Sequence, residues 1–367
     1  MGRMGRAEYS DIVTVSVPFT CGVGTAALIP LSGSSPAAFS AVSAALVCSI
    51  VTAILALRRP DGKLWIPLYF FLGLFCRCSA VLTGASLFPG ETTAGRACLA
   101  LKSVIDGIAY PHEESGELVK ALLTGDRSGL DRGTVELFRK SGAAHMLALS
   151  GLHLGLIYLI VRKLFAPIGN APLPKLVRSL GTVALTLFYT LMTGEGPSTV
   201  RAFLYILIKE AASLSPGRKA DPVRVLLASL GIQLTLNPMV ISQTGFQLSY
   251  LAMMGLATVF PAMKAWYPPP ETDDDRRDPM RKLWNAASLS LSCQLFTAPL
   301  VWLRFRSFPR YFLITNIRAL PMCSGVMVLS VGVVALSAAG LCPGALVKLD
   351  DALIRLLIKT LETISVM

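Results

Sequence analysis

Residues 125–155 read GDRSGLDRGTVELFRKSGAAHMLALSGLHLG and carry two of the chain's three histidines, His145 and His153. From Gly142 to Val161 the stretch is apolar and long enough to cross a bilayer, so these histidines stand where ionisable groups are costly. Taken as one helix over 144–161, turning about 100° per residue, it places His145, Ser150 and His153 within an arc of about 140°. Gly151 and Gly155 fall on the other side. Such a helix shows a polar face to something wet or reactive, and a Gly-x-x-x-Gly face that lets neighbouring backbone approach closely. Hydrogen bonding of both histidines to neighbouring helices is the plainer account of the same pattern.

The rest of the chain sets this stretch in a membrane. Of 367 residues, 53% are hydrophobic and only 15% charged, too little polar surface to cover a soluble globule of this size. Apolar stretches near 12–31, 37–57, 64–88, 142–161, 176–193, 197–214, 223–240, 243–263, 283–303 and 313–340 are candidate spans. The expected fold is an all-α polytopic membrane protein: a bundle of about ten transmembrane helices, with short exterior helices and a C-terminal amphipathic helix. The first stretch, Ile12 to Leu31, lacks an obvious small-residue cleavage site and reads as a retained span.

Formal charge is +12, but in a membrane protein the positive-inside bias already predicts an excess of Lys and Arg. Basic residues at 58–63, 162–178 and 209–224 agree on a cytoplasmic N-terminus, which puts residues 89–141 outside. Three regions follow: N-terminal transmembrane helices at 1–88, an exterior short-helix segment at 89–141, and a transmembrane core at 142–367. The exterior segment holds seven basic and eight acidic side chains, so it is not a basic platform for a polyanion. In it, Gly125 suits a helix C-cap and Asp131 an N-cap, with Arg139 and Lys140 at the end of the helix that Asp131 starts. Residues 267–282, YPPPETDDDRRDPMRK, read as a solvated linker. Near the C-terminus Lys348, Asp351, Arg355, Lys359 and Glu362 recur every three or four residues, a polar stripe on an amphipathic helix at 346–364.

Eight cysteines are scattered through apolar runs, giving neither a disulfide framework nor a zinc site. No G-x-x-x-x-G-K-S/T loop is present, so no ATP hydrolysis by that route is expected. No metal and no cofactor is expected.

Beyond His145–His153, the ordered motifs are Leu123-Thr124-Gly125-Asp126-Arg127, Phe138 to Gly142, Ser198-Thr199-Val200-Arg201-Ala202, Asn237-Pro238, and Gly245-Phe246-Gln247-Leu248-Ser249-Tyr250. Gln294 to Pro299 and Asn316 to Pro321 follow. In order and spacing these motifs resemble the transmembrane competence domain of ComEC-type DNA-internalisation channels over about residues 99–340. The HMLALSGLH segment is the specific signal among them. The resemblance implies an inner (cytoplasmic) membrane channel that passes single-stranded DNA into the cytoplasm during natural transformation. It implies no enzyme activity. The expected partners are single-stranded DNA, an exterior DNA receptor, a cytoplasmic DNA-translocating ATPase or single-strand-binding proteins, the lipid bilayer, and further copies of the chain in a homo-oligomer. Two departures from the family pattern are expected: no exterior OB-type domain after Pro89, and no metallo-β-lactamase-like domain, since three histidines cannot build an H-x-H-x-D-H site.

A polyanion crossing a bilayer needs a hydrated path with groups that hold each phosphate loosely. The candidates are His145, Ser150, His153, Arg201, Gln247, Gln294, Arg304, Arg306 and Arg310, with Gly125, Asp126, Gly151 and Gly155 as the structural motif. Arg201 lies near the start of a span, where a cation is disfavoured. Its partner is Glu195, a carbonyl, or a passing phosphate. Gln247, Gln294, Asn237 and Asn316 either line a path or join helices. The segment RFRSFPRYF at 304–312 interleaves guanidinium groups with rings, a single-strand-binding combination, while interfacial anchoring is the plainer account of the rings. Two other classes stay open: a membrane-embedded hydrolase using Ser150 with His153 or His145, and a small-solute transporter.

Overall fold

The computed structural model describes residues 4–30, 36–58, 65–83, 93–169, 171–194, 196–214, 221–267, 278–306 and 308–366. Regular structure among them is entirely helical. The helices are α1 (Met4–Leu28), α2 (Pro36–Arg58), α3 (Trp65–Thr83), α4 (Thr93–Asp106), α5 (Glu113–Thr124), α6 (Arg132–Lys140), α7 (Ala144–Leu147) and α8 (Gly151–Leu164). They continue as α9 (Pro172–Met192), α10 (Pro197–Leu214), α11 (Pro222–Leu236), α12 (Thr244–Ala265), α13 (Pro279–Phe305), α14 (Phe312–Ala338) and α15 (Gly344–Val366).

Among the described residues six helical stretches are long and apolar enough to cross a membrane: Pro36–Ala56, Trp65–Thr83, Gly151–Ile168, Thr244–Ala265, Pro279–Phe305 and Phe312–Ala338. The expected spans at 12–31 and 223–240 appear as shorter apolar helices, Ile12–Leu28 and Pro222–Leu236. Those at 176–193 and 197–214 fall in α9 and α10, which carry Lys175, Arg178, Arg201, Lys209 and Glu210. Most of the expected 267–282 linker lies outside the described residues.

The chain divides into two compact units, residues 1–90 with 211–250, and residues 91–210 with 251–367. In the first, α1 and α3 cross at paired glycines. A Cβ on Gly22 would run into the Phe70 carbonyl and one on Gly73 into the Phe19 carbonyl, so the backbones touch, as small residues allow in membrane helices. Tyr250 on α12 donates to Gln233 Oε1 on α11 at 2.9 Å.

In the second unit, α5, α6 and α7 bury Leu118, Leu122, Phe138, Met146 and Leu147 against Cys323, Val326 and Met327 of α14 and Ile354, Leu357 and Leu361 of α15. Each fully buried side chain of this size is worth about 1.5–3 kcal/mol. Helix α15 buries Val347, Asp350, Ile354, Leu357, Leu361 and Ile364, alternating steps of three and four that keep one seam on its neighbours. Lys348, Arg355, Lys359 and Glu362 are exposed as the amphipathic pattern predicts. Asp351 is not part of that exposed stripe: it is 5% exposed, turned inward to accept hydrogen bonds from Ser115 Oγ at 2.7 Å and from His112 Nδ1 at 2.9 Å.

Candidate functional site

The site is assembled from the Gly125 turn. Helix α5 ends there because Gly125 adopts φ +79°, and its N–H returns to the Ala121 carbonyl. The glycine is required twice, since a Cβ would stand 2.6 Å from Leu149 Cδ1. Asp126 accepts from Lys102 Nζ at 2.7 Å and from the Ser128 N–H at 3.0 Å. The Lys102 and Ser128 hydrogen bonds hold its carboxyl below the usual carboxylate range. Arg127 Nε then donates to the Leu147 carbonyl at 2.9 Å. Gly125 and Arg127 thus hold residues 147–149, while Asp126 fixes the turn between them. On α6, Asp131 accepts from Gly133 N–H at 2.7 Å as an N-cap, and Arg139 and Lys140 occupy the last turn. Gly142, at φ +80°, lets the chain turn against Pro309 and Phe312, and Thr315 Oγ1 donates to the Ser141 carbonyl.

Between Leu147 and Gly151 the helix is interrupted. The expectation of one helix over 144–161 is therefore corrected: α7 stops after four residues, Ala148 and Ser150 are extended, and α8 begins afresh at Gly151. The reason lies in Ser150, whose short hydroxyl competes for backbone donors and favours caps over helix interiors. Its Oγ accepts the Leu152 N–H at 3.2 Å, and its own N–H donates to His153 Nδ1 at 3.3 Å. His153 fills the place that Glu or Gln takes in a capping box. Because that N–H can only donate, Nδ1 is the acceptor and the ring proton sits on Nε2. His153 is 1% exposed, and Nε2 has no partner among the described residues. His145 lies before the break, exposed, with Nδ1 3.2 Å from the Gly142 carbonyl. The single arc of His145, Ser150 and His153 does not form.

Across the first turn of α8 lies Arg201 of α10, 8% exposed. A Cβ on Gly151 would stand 2.8 Å from its terminal nitrogen and 3.5 Å from Ala202 Cβ, so absence of a side chain at Gly151 makes room for the guanidinium. Cys293 of α13 is within electrostatic reach of Arg201. Below, Leu154 and Tyr158 pack on Tyr189, Ala202 and Ile206. Gly155, by contrast, has nothing among the described residues within 4 Å of where a Cβ would be. Glu195, an expected partner for Arg201, lies outside the described residues.

The structure thus brings Ser150, Gly151, His153 and Arg201 to one break in the helix. Gln247 belongs to the other unit, where its Nε2 donates to the Ile241 carbonyl at 2.8 Å. Gln294 Nε2 is buried without a partner among the described residues. Arg304, Arg306 and Arg310 are all exposed, and Phe308 meets Phe312 edge-on at 6.2 Å. Arg306 is the one non-glycine residue with positive φ among those described, at +50°, where it caps α13. The α13–α14 connection reaches the 125–155 stretch through Pro309 and Phe312 at Gly142.

Two groups escaped the sequence reading. Glu210, 4% exposed, accepts from Tyr158 at 2.7 Å and Ser179 at 2.6 Å and pairs with Arg162, fastening α8, α9 and α10. Asp350, fully buried, accepts from Tyr110 Oη at 2.9 Å and Ser330 Oγ at 3.0 Å, joining the segment before α5 to α14 and α15. Its flanking apolar heptad could have flagged Asp350. Nothing local marks Glu210, whose donors lie 31 to 52 residues away.

A family model described as "Competence protein" matches residues 122–367. ComE operon protein 3 of Bacillus subtilis (strain 168) is 27% identical over 204 residues, covering 54% of this chain and 23% of that protein. "Uncharacterized protein YcaI" of Escherichia coli (strain K12) is 24% identical over 216 residues, covering 58% of this chain and 28% of the relative. The matches therefore span about a quarter of the length of these relatives. No solved structure matches the chain. With two thirds of its length under the family model, and with six helices among the described residues long and apolar enough to span a bilayer, this chain is a membrane protein of the competence protein family.

Proposed function

We propose that the chain is an inner-membrane channel that passes single-stranded DNA into the cytoplasm during natural transformation. The observation that carries this reading is the guanidinium of Arg201, buried against Gly151 at the amino end of α8, immediately after the helix break. An amino end already favours anions, and the guanidinium beside it adds positive charge at the same place, so the two together suit a passing phosphate. Irregular backbone at membrane depth is tolerated where it is buried in protein or lines a hydrated cavity, which makes residues 148–150 the natural lining of a path. The exposed arginines and rings of 304–312 would meet the strand at one end of that path. In this reading the chain crosses the membrane about ten times, with residues 89–141 outside, and it works without catalysis. Strand supply and driving force come from an exterior receptor and from cytoplasmic ATPase or single-strand-binding partners.

The test is uptake of labelled DNA into the cytoplasm by cells carrying Arg201→Gln or Arg201→Lys, at equal protein abundance and with surface binding recorded separately. The reading requires Gln to reduce internalisation at least about tenfold while Lys retains most of it, since one charge-assisted contact is worth about 1.5–3 kcal/mol. Wild-type internalisation by the Gln variant would discard it.

One contact favours the alternative of a membrane hydrolase: Ser150 Oγ lies 3.0 Å from His153 Nδ1. The same pair is accounted for as a cap, and among the described residues no carboxylate orients the imidazole. Ser150→Asn separates the two, because asparagine caps a helix as well as serine and adds no charge to the path but is not an activated hydroxyl. A channel keeps function in this variant, and a serine hydrolase loses it.

A further inference from the structure

The ends of α8, α9 and α10 that meet at Glu210 carry several cations which the strand path does not use. Arg162 and Lys163 lie in the last turn of α8, Lys175 and Arg178 in the first turns of α9, and Lys209 on α10 beside Glu210. Arg162 and Lys209 are tied to this centre through Tyr158 and Glu210. Arg162 pairs with Glu210 and donates to Tyr158 Oη at 2.7 Å, and Ser179, one turn after Lys175, donates to Glu210. Arg162 and Lys209 lie 5.9 and 5.4 Å from the centre of the same Tyr158 ring. Two cations on one ring repel unless an anion screens them. Glu210 serves Arg162, while Lys163 and Lys209 are exposed and make no ion pair with a carboxylate among the described residues. Arg162 and Lys209 thus share one aromatic ring beside Glu210, and Lys163 follows Arg162 in the last turn of α8.

What borders this patch is apolar. Leu164, Leu173, Leu176, Val177 and Leu180 are all exposed on the same helix ends. A cationic cluster rimmed by outward-facing leucines matches the boundary between acyl chains and headgroups, not a site wetted on every side. We propose that the Arg162–Lys163–Lys209 end of this three-helix unit binds the phosphate of an anionic phospholipid. The lysines engage the headgroup, Arg162 holds Glu210 and Tyr158 in place beneath it, and the neighbouring leucines lie along the acyl chains. Glu210 is the fixed centre that gathers the cations, and its own charge is already satisfied by Arg162, Tyr158 and Ser179.

The experiment uses the full chain purified in a neutral detergent. Binding of phosphatidylglycerol and of phosphatidylcholine is measured by native mass spectrometry, for the wild type and for Lys163→Gln/Lys209→Gln. A control, Lys348→Gln/Lys359→Gln, removes the same charge from α15. The wild type should prefer the anionic lipid, the patch variant should lose roughly fivefold in that preference per lysine removed, and the control should keep it. Equal binding of the two lipids by the wild type, or an undiminished preference in the patch variant, overturns the proposal. So does a single-stranded oligonucleotide that displaces phosphatidylglycerol from the wild type, because the patch would then belong to the strand. Thermal unfolding of both variants identifies any loss of fold, and if the double variant does not fold, Lys209→Gln alone is read in its place.

Discussion

Gly125→Ala tests how the Gly-Asp-Arg turn holds the helix break, and its cost has two separable parts. At φ +79° an alanine pays the left-handed penalty of about 1–2 kcal/mol. The added Cβ also lands 2.6 Å from Leu149 Cδ1 and 2.9 Å from Cγ, an overlap of the kind that costs about 1–3 kcal/mol in packed interiors. Together these make about 2–5 kcal/mol, a large part of a domain's whole stability. The second part should vanish when Leu149 is trimmed. Leu149→Ala in the Gly125→Ala background should therefore recover about 1–3 kcal/mol relative to the sum of the single changes, while the backbone penalty persists. Unfolding of the detergent-solubilised protein, followed for all four members of the cycle, gives the coupling energy directly. Additive single effects would refute the claim that Gly125 is needed for Leu149. Gly155→Ala serves as the contrast: nothing lies within 4 Å, and alanine is the better helix former, so stability should hold or rise by up to about 1 kcal/mol.

Replacing Glu210 by Gln strands Arg162 and should cost about 2–4 kcal/mol; this is reduced from the full price of a broken buried pair because the Arg162 side chain is 38% exposed, and thermal unfolding reads it. Asp126 is held below its usual range by Lys102 and Ser128, so its contribution is present above the ordinary carboxylate range and lost as pH falls; Asp126→Asn should flatten the acid limb of the stability profile. Asp350 behaves oppositely. Burial raises its carboxyl, so its folded form favours the proton and stability falls as pH rises through the raised value; Asp350→Asn should remove that decline in melting temperature against pH. Arg304, Arg306 and Arg310 changed together to Gln should lower DNA uptake and flatten its salt dependence, as fewer counterions are released; an unchanged slope at wild-type uptake removes this segment from the path.

Much of this architecture was legible in local patterns. Apolar length marked ten stretches, six of which are helices long and apolar enough to cross a membrane, and the cap chemistry of Gly125 and Asp131 marked the end of α5 and the start of α6 because such signals act within one turn. The break at 148–150 was misread for a physical reason. Apolar periodicity runs straight through HMLALSGLH, while the interruption depends on Ser150 choosing a cap and on Arg127, twenty residues earlier, satisfying the freed Leu147 carbonyl. The contact of Gly151 with Arg201 was hidden likewise, since spacing identified Gly151 as small but not what would approach it. Asp351 shows the limit of reading an amphipathic stripe. Its register suits the polar face, yet His112 and Ser115 draw it inward.

The most direct test of the central claim places a photoreactive amino acid at Ser150, in the break, and at Leu187, an exposed apolar position on α9, in cells taking up labelled DNA. If single-stranded DNA passes the amino end of α8 beside Arg201, illumination during uptake should link the strand to position 150 and not to position 187. Continued uptake with no link at 150, at equal protein abundance, would contradict the account.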